Sequence, residues 1–117
     1  MLARYLVLRK DGEMRLFGDC FNDARFPDGH WLLTNVIVAH EGNEYITDTP
    51  TRYEVGREIT MQEMCDIWRR EKLYTEGVKY CIQVANIIQL HLDKEDKVLK
   101  KFLGELYALA KYDEEDW

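Results

Sequence analysis

Ile59-Thr60-Met61-Gln62-Glu63-Met64-Cys65-Asp66-Ile67-Trp68 is where the chain changes period. Upstream the pattern is that of short strands and turns. From here Met61, Met64, Cys65 and Trp68 recur at i, i+3, i+4 and i+7, the spacing of one helix face. Thr60 with Glu63 three residues on is a capping box, in which each side chain satisfies the other's exposed backbone N–H. Ile59 and Met64 stand where a hydrophobic staple packs. The stretch therefore separates a β lobe of about residues 1–58 from a helical lobe of about 59–112, with an acidic tail at 113–117. No flexible linker divides the lobes, so both are expected in a single domain.

Working upstream, Arg52 to Gly56 reads as a short strand and Glu44 to Asp48 as another, turned back at Glu41-Gly42-Asn43. His30 to His40 is rich in β-branched and aromatic residues and reads as the longest strand. Asn22 to Gly29 has no period and ends in Pro-Asp-Gly, a turn signature. Glu13 to Phe21 and Ala3 to Arg9 are strands joined through Asp11-Gly12, a pair suited to the positive φ of a tight hairpin. Five short strands at spacings of about ten residues predict a small SH3-like β-barrel or curled antiparallel sheet.

Working downstream, the first helix runs towards Gly77. Val78 to Leu92 reads as a middle helix whose apolar face holds Val78, Cys81, Ile82, Ala85, Ile88 and Leu92, widened by Val84 and Ile87. Asp93 is placed to cap a last helix, with Val98, Leu99, Phe102, Leu103, Leu106, Leu109 and Ala110 on one arc and lysines opposite. The expected fold class is thus α+β, with a three-helix C-terminal lobe. The wide arc of the middle helix needs cover from its own domain or from another chain, and a homodimer through Val78–Leu92 is one form of the latter.

Composition narrows the function. The 117 residues are 46% hydrophobic and carry 16 Lys+Arg against 22 Asp+Glu, a formal −6. No apolar run reaches the ~18 residues that spanning a bilayer takes, and no signal peptide is visible, so a cytoplasmic protein without membrane contact is expected. The acidic balance argues against direct nucleic-acid binding. Its distribution is uneven: residues 1–58 balance at −3, whereas residues 59–117 owe their −3 to Asp113, Glu114, Glu115 and Asp116. Cys20, Cys65 and Cys81 form an odd set without C-x-x-C spacing and are read as reduced, buried thiols. His30, His40 and His91 never fall beside a cysteine or another histidine at ligand spacing, so no metal is expected. Scattered glycines and the lack of G-K-S/T exclude a phosphate-binding loop, and no other cofactor is implied.

Three groups of residues are candidates for function. The first is the polar segment from Asp19 to His30, where Arg25 and Phe26 join a bidentate donor to an aromatic anchor beside Asp23 and Asp28. The second is the tail, where Asp113 to Asp116 would attract a basic partner and Trp117 would bury its ring. Together they point to a non-enzymatic module that binds a protein with a basic surface. The third is the basic cluster of Arg69 and Arg70 with the lysines of the last helix, the basis of an alternative reading as a nucleic-acid-binding regulator. Cys20 and His30 with nearby aspartates support a further alternative, a small hydrolase or transferase, although no spacing enforces a catalytic geometry.

Leu16-Phe17-Gly18, Asn22-Asp23-Ala24-Arg25-Phe26-Pro27-Asp28-Gly29, Thr34-Asn35-Val36, Thr47 and Tyr53-Glu54-Val55-Gly56 together resemble small uncharacterised proteins of phages and mobile elements. Those carry a D-x-R-F-x-D-G turn, a T-S-x-V-like strand and a Y-x-L-G ending; Asn35 and Val55 depart from that pattern here. The resemblance implies an accessory protein that binds and blocks host machinery, such as an anti-CRISPR inhibitor occluding a basic surface.

Overall fold

The computed structural model describes residues 1–115, with side chains described through Tyr112. It is α+β and divides into two compact units, Met1–Ile59 and the chain from Thr60 onward.

The first unit is one mixed sheet of six strands among the described residues. They are β1 (Leu2–Lys10), β2 (Glu13–Cys20), β3 (His30–Leu33), β4 (Ile37–Glu41), β5 (Glu44–Thr47) and β6 (Arg52–Glu58). Their order across the sheet is β3-β2-β1-β6-β5-β4. The β1–β2 hairpin turns at Asp11 (φ 54°) and Gly12 (φ 79°), as the Asp-Gly pair requires.

Two expectations are corrected. His30 to His40 is two strands, because the ladder with β2 stops at Thr34: its N–H still donates to the Leu16 carbonyl, but its Oγ1 takes the place of its backbone carbonyl in accepting from the Leu16 N–H at 3.0 Å. β3 and β4 then go to opposite edges of the sheet. Nor is the sheet antiparallel throughout, since β1 pairs in parallel with β6, Leu2 against Val55 and Tyr5 against Glu58, and with β3 and β4 as its two edges it is not closed into a barrel.

A bulge at Ala3 shifts the β1–β2 register between Leu2 and Arg4. One face of the sheet holds a core of Leu2, Tyr5, Leu16, Cys20, Leu32, Tyr45, Tyr53 and Val55, with Phe26 packed against it. On the other face Asp19, 1% exposed, accepts from Arg4 three times: from its backbone N–H at 2.9 Å, from Nε at 3.0 Å and from Nη2 at 2.7 Å. The Arg4 guanidinium also lies over the Trp31 ring. A buried carboxylate is tolerated because this fork satisfies it.

Among the described residues the second unit contains three helices. Helix α1 covers 61–76 as Met61–Ile67, a π-helical stretch Trp68–Lys72, and Leu73–Glu76. The predicted capping box is present: Thr60 Oγ1 accepts from the Glu63 N–H, and Glu63 accepts from the Thr60 N–H. Helix α2 is Val78–Leu90, entered through Gly77 at φ 87°. Helix α3 is Lys97–Glu115. Its N-cap is Asp96 rather than Asp93. The Asp96 carboxylate accepts from the Val98 and Leu99 N–H groups, and Gln89 accepts from the Asp96 N–H. Cys65, Trp68, Cys81, Ala85, Ile88, Leu99, Phe102 and Leu106 are buried, whereas Ile87, Leu90, Tyr107 and Leu109 are exposed. No described helix is long and apolar enough to cross a membrane.

Candidate functional site

Residues 21–29 join β2 to β3, and their shape follows from short polar side chains bonding their own backbone. Cys20 faces His30 across the two strands, and the Gly29 N–H closes the loop's base on the Cys20 carbonyl at 2.8 Å. Asn22 takes φ 57°, a conformation that Asn tolerates, and its N–H donates to Asp28 at 2.9 Å. Asp23 accepts from the Arg25 N–H at 2.9 Å, the turn that an Asp makes with the residue two places on.

Arg25 is the centre of this loop. Its Nε and Nη2 donate to the two oxygens of Asp23 at 3.0 and 2.7 Å, and Nη2 also donates to the Tyr53 hydroxyl at 3.1 Å. The guanidinium lies over the rings of Phe26 at 5.3 Å and Tyr53 at 5.7 Å. Phe26 in turn stacks on His30 at 4.7 Å with ring planes 5° apart. The Arg25 bonds hold the Asp23 carboxyl at about 2, below the usual range, and Asp23, then Tyr53, raise the guanidinium's own pKa. The side chain of Arg25 is still 51% exposed. It is fixed but accessible.

Beside it opens a cleft of about 450 Å³, lined by Asn22, Asp23 and Arg25 from the loop, by Thr51 just before β6, and by Arg52 and Tyr53 at its start. Thr47 positions that segment, since its buried Oγ1 accepts from the Thr51 N–H at 3.0 Å. Arg52 donates to Glu41 and Glu44 on the β4–β5 hairpin at 3.3 and 3.0 Å. The site therefore offers two guanidiniums and one carboxylate over an aromatic floor.

The structure brings Asp23, Arg25, Phe26 and Asp28 together in one ordered turn. It adds Tyr53 and Arg52, which no local pattern connects to the loop. The tail is another matter. The backbone of Asp113, Glu114 and Glu115 continues α3, while Asp116 and Trp117 lie outside the described residues.

For the Cys-His alternative, the Cys20 thiol sits in the core, and burial, then Asp23, push its pKa up. Burial likewise raises Cys65, to about 12, and Cys81. All three are free and buried, and no group of three metal-holding side chains converges among the described residues. Of the basic cluster, Arg69 pairs with Glu105 and Asp66, both at 2.8 Å, and Arg70 is exposed. Compared with protein-family models, with curated proteins and with solved structures, the chain matches none.

Proposed function

We propose that this chain is a non-catalytic protein-binding module that seats its partner on the 22–29 turn and the adjoining cleft. The observation that carries the reading is the state of Arg25, gripped by Asp23 and Tyr53, stacked on two rings and half exposed. Arginine and aromatic side chains dominate the energetics of protein interfaces. An arginine already ordered in the free protein loses little further entropy on binding. Loops carried on a rigid sheet are the usual place for such contacts.

The charge around the cleft suggests how a partner would lie. Arg25 and Arg52 favour a carboxylate or an aromatic ring at the centre, while the exposed carboxylates Glu41, Asp48 and Glu54 elsewhere on the unit would meet a basic surface. The three raised thiols weigh against covalent catalysis, because the thiolate is the nucleophile. The narrower reading is an inhibitor that occludes a basic surface on a host defence or nucleic-acid-handling protein. It rests on the resemblance over residues 16–56 and on the net charge. A second contact through Asp113 to Trp117 rests on the sequence of the tail.

The test is capture from lysate of the source cells by wild-type protein, by Arg25→Ala and by Arg25→Lys, each with an unchanged circular dichroism spectrum. A partner bound by the wild type should be weakened by about 2 kcal/mol or more in Arg25→Ala. Arg25→Lys should rescue little, because an ammonium cannot make the two-pronged bond to Asp23. A partner held equally by all three proteins would rule out this site.

A further inference from the structure

A second cleft, of about 370 Å³, lies wholly within the helical unit. Gln62 and Arg69 line it from α1; Lys97, Val98, Lys101 and Glu105 line it from α3. The spacings i, i+7 on one helix and i, i+4, i+8 on the other put each set on one face. Arg69 is held in place: Nε donates to Glu105 and Nη1 to Asp66, and the guanidinium lies over the Phe102 ring at 4.9 Å. Gln62 bonds the same Asp66 oxygen at 3.0 Å, which completes the support. A guanidinium has five N–H donors, and this support occupies two of them, leaving three for a ligand.

Lys97 and Lys101 supply the rest. Both are exposed, and among the described residues neither takes part in an ion pair, unlike Lys100, which pairs with Glu95 at 3.2 Å. The backbone at the start of α3 is not part of the site, because Asp96 already accepts from the Val98 and Leu99 N–H groups. What remains is three cations around a cavity whose one lining carboxylate, Glu105, is engaged with Arg69. We propose that this cleft binds a phosphate group, with Arg69 as the oriented fork and Lys97 and Lys101 as the neutralising charges. A fork plus two mobile ammonium groups suits the three oxygens of a phosphoryl group better than the two of a carboxylate. The volume falls in the range of small-ligand sites, so the cleft has room for more than a bare phosphate.

The experiment is nuclear magnetic resonance titration of the full chain with pyrophosphate. Saturable shifts are expected at Arg69, Lys97 and Lys101. The exposed double variant Lys97→Gln/Lys101→Gln should weaken binding about tenfold, which is about 1.4 kcal/mol. Lys97→Arg/Lys101→Arg should retain binding. The shifts should be confined to the helical unit, which separates this cleft from the site on the sheet. Two further arms identify the source of the phosphate. Displacement of pyrophosphate by a short single-stranded oligonucleotide assigns it to a nucleic-acid backbone. Displacement by a nucleoside diphosphate and not by the oligonucleotide assigns it to a small ligand. The absence of saturable shifts, or shifts that survive the double glutamine variant, would overturn the proposal.

Discussion

At Gly18 and Gly56 the chain has no space for a methyl group. A Cβ at Gly18 would stand 2.3 Å from the Arg4 carbonyl oxygen, and one at Gly56 would stand 2.4 Å from that of Ala3. Both contacts press on β1 where the bulge at Ala3 bends it, so relief requires the backbone itself to move. Gly104, on α3, meets nothing within 4 Å. Gly18→Ala should therefore cost about 2 kcal/mol or more, as overpacking against backbone does. Gly104→Ala should stabilise by about 0.5–1 kcal/mol, because a helix interior prefers Ala. Urea midpoints of the two variants check both signs. The residue chemistry of the 22–29 turn was legible beforehand, since Asn, Asp and Gly act there on their immediate neighbours. The roles of Gly18, Gly56 and Tyr53 were not legible, because each depends on a strand distant in sequence.

Among the elements, the best-read feature is the start of α1. Its capping box is a contact between residues three apart, so the sequence alone defines it. Thr60→Ala should remove it at a cost of about 1 kcal/mol. Asp96→Ala should cost about as much at the start of α3, with both losses read as lowered thermal midpoints of the helical circular dichroism signal. Choosing Asp96 over Asp93 required more than a capping residue before an apolar arc. Gln89 at the end of α2 holds the connecting segment through the Lys94 carbonyl and the Asp96 N–H, and this sets where the new helix begins. The division of His30 to His40 into β3 and β4 has a similar cause. Thr34 has good strand propensity, yet its hydroxyl, in place of its backbone carbonyl, accepts from the Leu16 N–H and ends the ladder there.

At the scale of the molecule, burial makes stability depend on pH at the alkaline end. Burial, then Tyr45, raises the Tyr5 phenol from 10.0 to about 12, and burial raises the Cys65 thiol from 9.0 to about 12. The folded protein thus keeps protons that the unfolded chain releases near pH 9 to 10. This contribution is complete below those values and is lost as pH rises towards 12. The thermal midpoint should fall across that window, and Tyr5→Phe should flatten the fall; a variant with the wild-type slope would refute the assignment. Asp23 has the opposite sign. Its carboxyl is lowered from 3.8 to about 2, so its contribution is complete above 3.8 and is lost as pH falls to 2. That effect is smaller, because half of the Arg25 side chain in the pair stands in solvent.

The sequence by itself determined whatever rests on neighbours within about one turn of helix or one hairpin. This covers the α+β division near residue 59, the Asp-Gly hairpin, the capping box, the amphipathic last helix and the ordered turn around Arg25. Tertiary structure alone decided that β1 and β6 run parallel, that the sheet has six strands and stays open, and that Tyr53 and Arg52 complete the cleft beside Arg25. It likewise decided that Arg69 meets Lys97 and Lys101 in one cleft. The physical reason is the same in each case. Hydrogen-bond register and side-chain convergence between distant segments leave no mark on local periodicity, and they are settled only when the segments compete for the same core.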